Sequence, residues 1–125
     1  MKYDPQKNPN PGIWLSLEEA ERVYSVQKFH TEANIKLPNA TLHSLFHVIV
    51  ENQVALGDDF IAKATLERLM DEGLDRHEAI HAIGSVVATH VHKTVNDKVD
   101  PGEATRVYQK KLNGLNAAEW KKLMQ

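Results

Sequence analysis

Apolar residues recur along this chain at helical spacing, and nowhere do they alternate with polar ones for long enough to make a strand. The first fifteen residues carry three of the five prolines, and Pro9-Asn10-Pro11-Gly12 reads as a helix-breaking run. An extended arm is therefore expected over 1–15, tacked to the body by Ile13, Trp14 and Leu15. Ser16 followed by Glu19 has the capping-box pattern and predicts a first helix from about Leu17 to His30. Pro38-Asn39 closes the next loop, and a second helix runs from Ala40 to Leu56, stopped by Gly57. Asp58 is the expected cap of a third helix, which ends at Gly73. Asp75 caps a fourth that reaches about Val95, a run long enough to bend or break. A fifth carries Ala104, Val107, Tyr108 and Leu112 and is broken by Asn113-Gly114. Asn116 with Glu119 opens a short last helix. The expected fold is all-α: one domain over 1–125, an irregular bundle of five or six helices over 16–125 behind the extended arm.

Composition narrows the function classes. The 125 residues are 42% hydrophobic and 26% charged, close to globular averages. A formal charge of −2 offers no electrostatic footprint for nucleic acid or for an anionic membrane. The helix-turn-helix outline from Leu66 into the fourth helix is weakened by a would-be recognition helix that begins Asp75-Arg76-His77-Glu78. No signal-peptide core and no membrane-length apolar run is present, so a cytoplasmic protein is the expectation. The absence of cysteine removes disulfides and thiolate ligands, so any metal must be held by nitrogen and oxygen.

Seven histidines are what speaks about function. His43 and His47 are four apart on the second predicted helix, and Glu51 continues their stripe. His77 and His81 repeat the spacing at the start of the fourth. An i,i+4 pair of imidazoles can reach one ion together. On a helical wheel the second helix's apolar arc centres on Leu42, Phe46, Ile49 and Gln53, and the histidines flank it. On the fourth helix the arc centres on Ile80, Ile83, Val87 and Val91. His77 and His81 there share a stripe with Gly84 and Ala88, which leaves room for another helix or for a substrate. The two pairs meet if these helices pack antiparallel, and the sequence leaves that open. Gln53 is read as a core amide or as a partner orienting a histidine. His90 and His92 face different ways and are expected to be solvated, His90 being a reserve ligand should the helix bend. His30 is assigned to the C-terminal end of the first helix dipole.

His77-Glu78-Ala79-Ile80-His81 matches the short metalloprotease motif H-E-x-x-H. Glu78 also sits three residues after Asp75, where a capping box places a glutamate. Val87 stands where the longer protease motif needs a third histidine, and no strand exists to bind an extended peptide. Leu42-His43-Ser44-Leu45-Phe46-His47 with Glu51 and Gln53, followed by Gly73 to Ala82, resembles a family of small bacterial helical proteins classed as a domain of unknown function. The resemblance spans about 39–91, names no reaction, and implies that the two histidine pairs belong together.

Four imidazoles and one carboxylate suit Zn²⁺, Fe²⁺, Mn²⁺ or Ni²⁺ better than Ca²⁺ or Mg²⁺. A di-iron carboxylate site is disfavoured for want of glutamates near the histidines. The expected centre lies between the second and fourth predicted helices, with metal ligands His43, His47, His77, His81 and Glu51. Glu78 and Glu51 are the candidate bases if a metal-bound water is used for hydrolysis. The alternative is a non-enzymatic interaction module whose histidines are structural or titrate near pH 6.5. Enzyme or binding protein, metal identity, substrate and homo-oligomerisation are left open.

Overall fold

In a computed structural model describing residues 2–35 and 39–123, the chain folds into seven α-helices and one 3-10 turn. They are α1 (Pro11–Ser16), α2 (Glu19–Glu32), α3 (Ala40–Ala55), α4 (Ala62–Asp71), α5 (Arg76–Asp97), α6 (Pro101–Gly114) and α7 (Ala117–Leu123). No strand occurs among the described residues, and no helix there is long and apolar enough to cross a membrane.

The extra helix lies inside the expected arm. Asn10 accepts a hydrogen bond from the Ile13 amide through its side chain, and Pro11 occupies the first turn. Proline is preorganised there and lacks only an N–H that would have gone unpaired. The run read as a breaker is thus a start signal. Trp14 on this helix is fully buried, whereas Ile13 and Leu15 are exposed. Its indole N–H donates to Asn52 Oδ1 at 2.9 Å, and Arg22 donates to the same oxygen at 3.1 Å, tying α1 and α2 to α3.

Several boundaries move with this change. Ser16 closes α1 by donating its hydroxyl to the Ile13 carbonyl at 2.6 Å, so it caps nothing. The next helix starts at Glu19 after an extended Leu17 and Glu18. Asp58 lies in the 3-10 turn Gly57–Asp59, and α4 begins at Ala62 without a side-chain cap. The caps at Asp75 and Asn116 form as expected, accepting from the Glu78 and Glu119 amides, and Asn39 caps α3 by accepting from the Leu42 amide. Pro38, expected in the second loop, lies outside the described residues. The long helix α5 runs unbroken to Asp97 and ends at Lys98 in the left-handed region, φ 50°.

Two apolar cores flank the centre of the molecule. The larger joins α3, α4, α5, α6 and α7 through Val50, Leu66, Leu69, Ile80, Ile83, Leu112 and Trp120. The smaller holds Tyr3, Trp14, Val26 and Val48. Both lean on α3, where Phe46 and Ile49 of the expected arc pack against the larger core. Leu42 is 46% exposed, while His47, Val48, Val50 and Glu51 are buried. The histidine side of α3 therefore faces the interior between the cores.

Helices α3 and α5 cross. His43 approaches His81, His47 approaches His77, and Glu51 pairs with Arg76. On the other face Ile49 and Gln53 line one cavity with Val87 and Val91.

Candidate metal centre

Five imidazoles converge at this crossing, one more than the two sequence pairs supply. His30 joins them from the last turn of α2, only 2% exposed, its ring centroid 4.9 Å from His43, 5.1 Å from His47 and 5.4 Å from His77. Its assignment to the helix dipole is thus corrected. The available signal was Val26, four residues earlier and also buried, which marks the inward stripe of α2. Ligand atoms of His30, His47, His77 and His81 all lie within 4.8 Å of one another. His43 sits at the margin, 4.8 Å from His81 between ring centroids.

The Nε2 atoms of His30, His43, His47, His77 and His81 are all buried with no hydrogen-bond partner among the described residues. A buried polar atom left unpaired costs about 1–3 kcal/mol. Five such atoms amount to a large fraction of a typical domain's stability of about 5–15 kcal/mol. Four of these histidines lie close enough together for one divalent ion to reach a nitrogen of each.

Two of the rings are set to present those lone pairs. His30 Nδ1 lies 2.9 Å from the Val26 carbonyl, an acceptor, so the ring proton sits on Nδ1 and Nε2 is free. His47 Nδ1 is 3.0 Å from the Tyr3 hydroxyl. That hydroxyl donates its only proton to Glu51, so it must accept from His47 Nδ1–H. Glu51 in turn receives two hydrogen bonds from the Arg76 guanidinium, at 2.8 and 2.7 Å. The Arg76–Glu51–Tyr3–His47 chain orients the ring and raises its basicity, as outer partners of metal-bound histidines do.

Both expected carboxylates are thereby removed from the centre. Glu51 is 1% exposed, and its two oxygens accept hydrogen bonds from Arg76 and Tyr3. Glu78 is exposed and accepts the Trp120 indole N–H at 2.8 Å, turned to α7. Its amide completes half of the capping box with Asp75. Gln53 accepts from the Tyr108 hydroxyl at 2.7 Å and orients no histidine. His90 packs against Tyr108, and exposed His92 lies beside Asn96, both away from the cluster.

The arm clamps this arrangement. Arg76, at the first position of α5, also donates to the Pro5 carbonyl at 2.8 Å and to Asn8 Oδ1 at 2.9 Å. Sequence separations of 71 and 68 residues made these contacts invisible to any local pattern.

Burial, then neighbouring imidazoles, pushes His43 down to about 4 and His81 down to about 3. His47 is pushed well below its ordinary value by the same causes, and His77 is lowered, chiefly by burial. At neutral pH these rings are neutral, which is the form a metal needs. The lowered values move the protonation that a pH-sensitive edge would use to below pH 6.5. Acid should nonetheless unfold the metal-free protein. As pH falls below about 6.5, the unfolded chain takes up protons that folded His43 and His81 refuse until about 4 and 3. Stability is therefore highest above that window and declines through it. Melting temperature of chelator-treated protein should be level above pH 7 and drop steadily from 6.5 to 4. A level profile across that range would mean the imidazoles are not buried together.

Tyr3→Phe tests the outer chain. It leaves the ring packed against Trp14 at 5.7 Å but removes the acceptor of His47 Nδ1–H. Metal affinity should fall about 10–100-fold with the circular dichroism spectrum unchanged. Competition against a chelator of known affinity measures it, and equal affinities would sink the relay.

Searches of family models, of curated proteins and of solved structures each returned no match to this chain, so the reading of the centre stands on its geometry.

Proposed function

We propose that this protein binds one transition-metal ion at the α2–α3–α5 junction. His30, His47, His77 and His81 are the inner ligands, and His43 stands beside them. One observation carries the reading: four imidazoles from three helices bring ligand atoms within 4.8 Å of one another, and their Nε2 atoms, with that of His43, are buried without partners. Zinc–imidazole bonds of about 2.0–2.1 Å in tetrahedral geometry put ligand nitrogens about 3.3 Å apart. Pairs at the outer 4.8 Å limit would close by about 1.5 Å on uptake. Neutral nitrogen donors without sulfur suit Zn²⁺, Fe²⁺, Mn²⁺ or Ni²⁺. They leave the ion's positive charge uncompensated, which makes it a strong Lewis acid.

With three of these imidazoles bound, a fourth position would stay open for a water of lowered pKa, and hydrolysis is the reaction class it would support; with all four bound the site would be closed and structural. Any such activity would need its proton acceptor from an imidazole left unbound by the ion, such as His43, because Glu51 and Glu78 are both committed elsewhere. The likeness of the 39–91 region to the small bacterial helical family accords with this proposal, since both histidine pairs enter one centre.

Titration of chelator-treated protein with Zn²⁺, Fe²⁺, Mn²⁺ and Ni²⁺ tests the assignment. About one equivalent should bind, and melting temperature should rise with the ion that binds best. Saturation at 1,000-fold over Kd adds about 4 kcal/mol. Protein that takes up none of the four ions and melts unchanged would overturn the reading.

A further inference from the structure

A cavity of about 290 Å³ opens from solvent onto the histidine cluster. Its inner end is formed by His43, His47 and His81. Each of these has an unpartnered Nε2, and His47 is only 2% exposed. Phe46, Ile80 and Trp120 make its apolar walls, while Gly84 and Ala88 give it width along α5. Of its nine lining residues none is Asp, Glu, Lys or Arg, and Ser85 spends its hydroxyl proton on the Ala82 carbonyl at 2.7 Å. The cavity therefore has one polar end, made of imidazole nitrogens, and an uncharged, largely apolar remainder.

We infer that this cavity is the substrate or ligand pocket of the metal centre. Its occupant is a small, neutral, largely apolar molecule that carries one lone-pair donor. The inference rests on the metal reading above and adds the class of molecule that reaches the ion. Size supports it: at about 30 Å³ per water-sized group, the space holds roughly ten non-hydrogen atoms. Charge supports it too. The ion itself would draw a carboxylate or phosphate, but such an anion would shed its hydration along Phe46, Ile80 and Trp120, where no cationic side chain replaces it. A neutral molecule with an apolar body gains from the same walls. The small residues beside His77 and His81 on α5 thus have a use that helix packing does not supply.

The test uses the full chain loaded with Co²⁺, whose visible bands report a change of ligand. The probes are 1-methylimidazole as the neutral apolar donor, and acetate and inorganic phosphate as anions. Two variants narrow the cavity without removing a histidine. Gly84→Ala adds a Cβ whose nearest neighbour would be Val50 Cγ2 at 4.0 Å, an ordinary contact. Ala88→Leu fills more of the width. Native protein should show a saturable spectral change with 1-methylimidazole at least tenfold tighter than with either anion. Affinity for it should fall several-fold in Gly84→Ala and at least tenfold in Ala88→Leu, with cobalt stoichiometry unchanged. Anions binding as tightly as 1-methylimidazole, or unaltered affinity in a cobalt-loaded Ala88→Leu protein, would overturn the pocket while leaving the metal site standing. Should Ala88→Leu fail to fold, Gly84→Ala decides alone. Native protein that shows no cobalt spectrum would overturn the metal reading and this inference with it.

Discussion

Arg76→Ala should destabilise the protein by about 3–5 kcal/mol, the usual cost of stranding one member of a buried ion pair. For a chain of this size that is a drop of about 10–20 °C in melting temperature. The Arg76 side chain is 1% exposed and Glu51's 0%, so the substitution strands the carboxylate in the interior. The same change releases the Pro5 carbonyl and Asn8, which hold the arm across the start of α5. Replacing both partners separates the two effects. Glu51→Met/Arg76→Met removes the charges together and should recover a good part of the loss, because the desolvation penalty goes with them. The arm should stay loose in the double variant, and Tyr3 should no longer hold His47. Denaturant unfolding of the three proteins, with limited proteolysis of the arm, measures this. Arg76→Ala within 1 kcal/mol of the native protein would contradict the buried pair.

His47→Ala/His81→Ala should abolish metal uptake and with it the stabilisation that the ion provides. The comparison that matters is each protein with and without metal, since it cancels whatever the substitutions do to folding. For the native chain the gap should reach about 4 kcal/mol at 1,000-fold over Kd, upwards of 10 °C. For the variant it should close to nothing. The metal-free variant should be penalised less than a usual core truncation, because two unpartnered nitrogens leave together with the rings. His43→Ala is the graded control. His43 lies outside the innermost four, so its loss should weaken uptake without ending it. A double variant that still binds a full equivalent would move the site elsewhere.

Much of this molecule was legible locally. A helix turns once every 3.6 residues, so apolar spacing located the helices, and short side chains that bond their own backbone marked Asp75 and Asn116 as starts. The i,i+4 rule put His43 with His47 and His77 with His81, because both members of each pair share one helix. The same local logic was misapplied at Asn10-Pro11. A cap followed by proline at the first helical position looked like a break, and a short helix anchored by Trp14 was read as extended arm.

What periodicity cannot specify is which face meets which. It gives a side chain's angle around its own axis, while a partner depends on how the axes cross. The crossing of α3 and α5 brings the two histidine pairs together, and the approach of α2 adds His30, which no spacing rule linked to them. Glu51 continued the histidine stripe and so looked like a ligand or base. The fold instead places Arg76 and Tyr3 against it across 25 and 48 residues. A guanidinium in bidentate contact wins a buried carboxylate over a more distant ion, since both charges are neutralised at hydrogen-bond distance. The sequence by itself determined an all-helical chain without thiolates, carrying two imidazole pairs. Only the tertiary structure decided that five imidazoles share one buried volume and that no carboxylate joins them, because that outcome rests on contacts between residues far apart in the chain.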